Sequence, residues 1–507
     1  MRSDLLAELI ASLSKAEKRY FKLSTNLQKG NKKYIELFDA LDKSLPLDKL
    51  EGGSKSQLPV LRNYLQNLVL RSIRGFHEEA SMDIVLRNAL NEIELLFARK
   101  QYTLASRLLE RAKKTAEHHE RYPILFSLID WQMRLNGPES SPHEQSEIDA
   151  LHEEWKKALL RYEEIRQLRK IYDDSYFHTM HKGLARDKAS EEEYHSIVAD
   201  PLLQGDPKRL TFLGQVMYHL IYGRYYHAIG KLEEDIKESK QVLALFDAQP
   251  ERIMDSEPYY HRAVLFRLND AMRDNEYDVA YQMIDRMRKN KYAHNIEQNL
   301  AVALLMEFGL LQSIGMFEEA HKLTPQLIEL RHGILSKRSR YSLAILDDQI
   351  ARQYFAMKDF ENSIEWSNKV LYEKGGLTGQ NLQSTLRILV LMSHFELKNY
   401  GYLKYATKSA YQYMYRHQRL HAIEKRLINF FASAGEHTTI EDFAQLEQDL
   451  LALQTGEYGL VVIDYSDLMQ WIRGRITGTS YAEVVRNTPT NLAWIKKLAK
   501  VKKKAGS

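Results

Sequence analysis

A tight turn, a bulky residue, two spacers and a small residue recur along this chain, each time between two stretches of helical periodicity. The copies read Lys100-Gln101-Tyr102-Thr103-Leu104-Ala105, Gly230-Lys231-Leu232-Glu233-Glu234-Asp235, Asn275-Glu276-Tyr277-Asp278-Val279-Ala280, Gly315-Met316-Phe317-Glu318-Glu319-Ala320 and Lys358-Asp359-Phe360-Glu361-Asn362-Ser363. From residue 232 on, the bulky positions are 232, 277, 317 and 360, spaced by 45, 40 and 43. A period of this size marks paired helices stacked by addition, so a chain of 507 residues need not close around one core.

Each position has a physical reason. The residue opening the turn takes a left-handed backbone, which Gly230, Asn275 and Gly315 tolerate at least cost. The bulky residue plugs the angle between the helices, a burial worth roughly 1.5–3 kcal/mol. Three residues on, Ala105, Ala280, Ala320 and Ser363 let the helices approach; Asp235 does not, which makes its copy the weakest on packing grounds. Glycine (23) and proline (11) are scarce against a usual ~7% and ~5%, and few breakers mean long helices. One run, Gly459 to Tyr465, has strand character. The fold class read from the sequence is all-α.

The expected organisation is an N-terminal helical region over 1–80, a first helix pair over 81–136, a linker with irregular helices over 137–207, a continuous array over 208–435, and a helical cap with a basic tail over 436–507. In the first region the pattern predicts helices over 3–25, 32–44 and 57–79, with polar breaks at 28–31 and 51–54. The segment Asn136 to Pro142 is the most loop-like in the body, and 147–176 reads as one long helix.

The turn pattern resembles the tetratricopeptide repeat. In the copy around Leu232 the match covers Gly223, Tyr226, Gly230 and Leu232, with Val242 and Pro250 downstream; around Phe360 it covers Ala351, Tyr354, Phe360, Val370 and Leu371. It extends over 208–375 and, less fully, over 82–120, while 380–455 keeps only degenerate pairs such as 382–397 and 402–415. The layout is also similar to bacterial repeat proteins to which no activity is attached. The resemblance implies an α-solenoid of TPR-like repeats whose first helices line a concave face. Carried over residue by residue, that lining includes Arg224, His227, Arg262, Asn269, Arg273, Gln312, Ser313, Asp348 and Arg352. Four arginines against one acid make a cationic stripe suited to an acidic peptide or a C-terminal carboxylate.

Charge is otherwise balanced at +4, too little for the whole body to coat a polyanion. Residues 486–507 stand apart, with Arg486 and Lys496, Lys497, Lys500, Lys502, Lys503 and Lys504 and no acid. With Leu492, Trp494, Ile495, Leu498 and Val501 interleaved, they form an amphipathic helix that either caps the last repeat or meets phosphates or an anionic lipid surface. The chain has no cysteine, which removes disulfides, thiolate metal sites and cysteine nucleophiles and fits a reducing compartment. No apolar run approaches a membrane span, and the expectation is a cytoplasmic protein.

Other motifs are weaker. His417 and His421 with Glu424 stand four and three apart, but Gln418 occupies the place of a metalloprotease glutamate; His178 and His181 fit ordinary packing. Gly223 to Gly230-Lys231 has the wrong spacing for a phosphate loop. No metal, cofactor or catalytic residue is assigned. The function expected is a non-catalytic interaction scaffold holding a peptide or protein segment on its concave face. The alternative is a ligand-sensing regulator that contacts nucleic acid through the basic tail or the N-terminal helices.

Overall fold

A computed structural model describes residues 4–26, 33–43, 45, 58–79, 81–137, 145–293, 295–337, 340–372, 380–454 and 466–505, the side chains of 380, 454, 466 and 498–505 excepted. Every regular element among them is a helix. The strand-like run 459–465, the breaks at 28–31 and 51–54 and most of the 136–142 loop lie outside the described residues.

The chain divides into two compact units, residues 1–158 and 159–507. The first holds α1 (Leu5–Ala11), α2 (Lys15–Asn26), α3 (Lys33–Asp42), α4 (Leu58–Phe76), α5 (Met82–Ala98), α6 (Tyr102–His118) and α7 (Tyr122–Leu135), and α8 (Gln145–Lys182) starts in it and ends in the second. There follow α9 (Lys188–Val198), α10 (Phe212–Ala228), α11 (Leu232–Ala248), α12 (Arg252–Asp255), α13 (Glu257–Arg273), α14 (Tyr277–Arg288), α15 (Ile296–Ser313) and α16 (Phe317–His332). The last are α17 (Arg340–Ala356), α18 (Phe360–Tyr372), α19 (Gln380–Glu396), α20 (Tyr400–Arg416), α21 (Ala422–Ser433), α22 (Ile440–Gln454), α23 (Ser466–Thr477), α24 (Tyr481–Arg486) and α25 (Pro489–Ala505).

In the first unit, α1 to α4 enclose a core of Ile10, Phe21, Leu37, Phe38, Leu65 and Val69. The single helix expected over 3–25 is in fact two. Ser14 and Glu17 bond each other's backbone N–H groups, at 3.2 and 2.6 Å, and this reciprocal cap starts a new helix where apolar periodicity alone runs on.

One turn geometry joins the helices of the pairs. Residues 100, 230, 275, 315, 358 and 398 have φ between 55° and 80°, and in each case the next residue's N–H reaches the carbonyl five positions back, as in Lys231 to Tyr226 (2.8 Å), Glu276 to Ala271 (2.7 Å) and Met316 to Leu311 (2.8 Å). This is the Schellman closure, which satisfies carbonyls that a helix end would otherwise leave open. The left-handed backbone expected at Gly230, Asn275 and Gly315 is present. Lys100, Lys358 and Lys398 adopt it too, and α19–α20 turns as regularly as the pairs before it.

The small residues take their expected places, while of the plugs Tyr102, Leu232 and Phe360 are only half-buried. Tyr277 and Phe317 are buried, and Ala105, Ala280, Ala320 and Ser363 are fully enclosed. From α10 to α23 the helices pack on one another in chain order, with the four-residue α12 set beside α13, and the first helices of consecutive pairs also touch, α10 on α13, α15 on α17 and α17 on α19. Two apolar cores result, one around Val216, Phe246, Ala263 and Ile284, the other around Phe308, Ile350, Leu389, Phe431 and Trp471.

Of the region 436–507 expected as a cap, α22 and α23 pack on α21, α19 and each other, whereas the chain beyond them turns elsewhere. Residues 481–497 run back over three turns of the middle pairs. Tyr481 stacks on Phe355 and Phe317 at 5.6 and 5.7 Å, Arg486 donates to the Gly315 carbonyl at 3.0 Å, and Asn491 accepts from the Tyr277 hydroxyl at 2.5 Å. Trp494 lies against Tyr277 at 5.7 Å. Gly315 is required here, because a Cβ on it would stand 2.6 Å from the Arg486 backbone.

Candidate functional site

Where the first helices of consecutive pairs meet the end of α8, the second unit holds a cavity of about 460 Å³. Its walls come from α8 (Tyr176, Thr179), α10 (Arg224, His227), α13 (Arg262, Phe266, Asn269), α15 (Met306, Gly309), α17 (Tyr341, Gln349) and α19 (Asn381). The volume is that of a small-molecule or chain-end pocket.

The end of α8 is fixed by its polar backbone groups. Arg419 donates to the Lys182 carbonyl at 2.7 Å, the Ala185 N–H donates to Ala228 at the end of α10 at 2.8 Å, and Arg186 pairs with Glu424 at 2.6 Å. Both members of that pair are almost wholly buried, at 6% and 0% side-chain exposure. The segment 182–186 is thus stitched at one side to α10 and at the other to α21.

Of the residues expected to line the groove, Arg224, His227, Arg262 and Asn269 do line the cavity. The cationic stripe itself is broken. Arg273 is held by Asp270 at 3.2 Å, Asp274 at 3.1 Å and Asp235 at 3.8 Å. Arg352 is neutralised by Asp348 at 3.0 Å and by Asp467 of α23, whose other oxygen accepts from Tyr481 at 2.6 Å. Gln312 donates to the Gln349 carbonyl at 2.9 Å and to Gln353 at 3.2 Å, and Ser313 to the Gly309 carbonyl at 2.9 Å. These five residues are engaged within or between helices, and none lines the cavity.

Two arginines remain. The Arg224 guanidinium is 4% exposed; its Nη1 donates to the Tyr172 carbonyl at 3.2 Å and to the Ser175 hydroxyl, while Nη2 has no hydrogen-bond partner among the described residues. Arg262 lies over Tyr176, its Cζ 4.9 Å from the ring centroid. The same ring of Tyr176 lies 5.4 Å from the Arg224 Cζ. Burial first, and then the positive charge of Arg262, lower the proton affinity of Arg224.

A separate acidic pair occupies one wall. Asp235, the residue that broke the small-residue rule, is buried like the alanines at the same turn position, because His227 Nδ1 (3.2 Å) and Arg273 meet its carboxylate. Asp270 accepts from Ser239 at 3.1 Å. Burial and the neighbouring Asp235 carboxylate push the Asp270 carboxyl up to about 6, against the lesser pull of Arg273, Ser239 and His227. The folded chain therefore holds this proton more tightly than the unfolded one, and the stability it contributes is complete below pH 3.8 and lost as pH rises to about 6. Asp270→Asn is expected to remove the corresponding fall in melting temperature across that range, measured against the wild-type pH profile.

The histidine pair 417/421 does not share a helix face. His417 ends α20 and stacks on Tyr413 at 4.3 Å, while His421 precedes α21. His178 stacks on Tyr194 at 4.6 Å. In the basic tail, Lys497 pairs with Asp278 at 2.6 Å, and Lys496 is exposed on α25; the side chains of Lys500, Lys502, Lys503 and Lys504 lie outside the described residues. No described helix is long and apolar enough to cross a membrane. The sequence reading missed Tyr176, Tyr341, Gln349 and Asn381, none of which stands in the repeat's turn motif. Comparison with protein families, curated proteins and solved structures finds no match.

Proposed function

We propose that the ordered helix pairs form a TPR-like α-solenoid, and that the protein is a non-catalytic cytoplasmic scaffold whose concave face receives a segment of a peptide or protein. The observation that carries this reading is the cavity itself. Helices from several pairs, 212–228 to 380–396, contribute to one hollow, as first helices do when pairs stack with a constant hand. Its mixture of aromatic, apolar and few polar groups suits recognition, and the uniform turns keep those helices in register.

The experiment is site-specific photo-crosslinking in the native host, with a photoreactive phenylalanine at Phe266 in the cavity and, as control, at Leu104, which is exposed in the first unit. The expected outcome is discrete polypeptide adducts at Phe266 that are absent at Leu104. Equal adducts at both positions, or none at Phe266, would refute the scaffold reading.

A further inference from the structure

We infer that Arg224, Tyr176 and Arg262 form an anion site in the cavity and that the group it receives is a carboxylate. The inference rests on the reading of the cavity as a binding site and specifies the chemistry of its occupant.

The argument starts from unbalanced charge. Several other buried or half-buried arginines of the same unit have carboxylates: Arg186 has Glu424, Arg273 has Asp270, Arg331 has Asp347, and Arg352 has Asp348, while Arg387 has the Gln383 amide oxygen at 2.6 Å. Arg224 and Arg262 have none among the described residues, yet both lie against the ring of Tyr176 at 5.4 and 4.9 Å. The cavity's own acids are engaged by other groups, Asp235 by His227 and Arg273, Asp270 by Ser239 and Arg273. An aromatic face attracts a guanidinium but does not neutralise it. Two neighbouring cations, one of them buried and the other half-buried, repel each other and cost free energy that a negative group would offset.

Donor geometry sets the class of anion. The Arg224 guanidinium has spent one arm on α8 and keeps Nη2 unpartnered. The Arg262 guanidinium makes no hydrogen bond to any described residue and lines the same hollow. Planar forks of this kind match the two oxygens of a carboxylate. The buried Gln349 Oε1 and Asn381 Oδ1 are also without partners, and their amides can turn to donate to the same guest or accept from it. Tyr176 comes from α8, outside the repeated pairs, and the stitched segment 182–186 fixes the end of α8. The hollow is thus bounded on that side and suits a chain end or a compact acid.

The test uses the full-length protein and two probes: short random peptides free of Asp and Glu, supplied either with a free C-terminal carboxylate or as C-terminal amides, and succinate. Peptides retained on the immobilised chain are identified by mass spectrometry, and succinate binding is measured calorimetrically at constant ionic strength. We expect free acids to be retained over amides, succinate to displace them, and Arg262→Gln to weaken both by about tenfold or more, the loss of one charge-assisted contact. Arg262→Lys keeps the preference for acids. Succinate binding without peptide retention would sustain the anion site and overturn the peptide reading. Acids and amides retained equally, or Arg262→Gln binding as wild type does, would overturn the anion site and leave the scaffold standing. Neither probe binding would overturn both. Should Arg262→Gln not fold, the acid-against-amide comparison on the wild-type chain decides.

Discussion

Glu424→Ala is expected to cost about 3–5 kcal/mol of stability, the loss that follows when one member of a buried ion pair is removed and its partner stays behind. Glu424 is fully enclosed and meets Arg186 at 2.6 Å; without it, Arg186 loses its carboxylate. The same change removes one of the three ties on the segment 182–186, to which Gly183 and Leu184 of the cavity wall belong. Urea denaturation followed by circular dichroism measures the loss. Replacing both partners with apolar residues, Arg186→Met with Glu424→Leu, is expected to recover most of it, because no charge is then left in the interior. A single variant as stable as wild type would mean that water reaches this pair.

Ala320→Glu is expected to cost at least about 4 kcal/mol, since a carboxylate with no partner is added to a site already filled. Ala320 is fully buried three residues after the Phe317 plug, in the core that contains Phe308, Ile350 and Ala351. Lys322→Glu, on the exposed face of the same helix, is expected to stay within about 0.5 kcal/mol. Equal denaturation midpoints for the two variants would refute the packing register. Asp235 shows why the position rather than the residue type decides: an acid survives at the same point of its own turn because His227 and Arg273 were placed to meet it.

The helices and the turn register were legible because they are local. Glycine and asparagine advertise a left-handed turn, and a small residue three positions after a bulky one advertises close approach. At Lys100 and Lys358 the bulky and small residues still mark the turn, but lysine gives no sign of the left-handed backbone there or at Lys398, which costs it about 1–2 kcal/mol and which the packed pair imposes. The break at Ser14 was overlooked because apolar spacing continues through it. For the site, Arg224, His227, Arg262 and Asn269 could be read from the face they share on first helices. The fate of Arg352 could not, because Asp467 lies 115 residues further on. Tyr176 was equally out of reach, being delivered by a helix that belongs to no repeat.

The run of 481–497 over the middle turns has a bearing on how the protein is made. Asn491 follows Tyr277, whose hydroxyl it binds, by 214 residues, so at a ribosomal rate of roughly 5–20 residues per second the ring waits about 10–40 s for its cover. During translation the central hairpins are complete long before the segment that covers their turns is made, so those turns stay bare until the last part of the chain emerges.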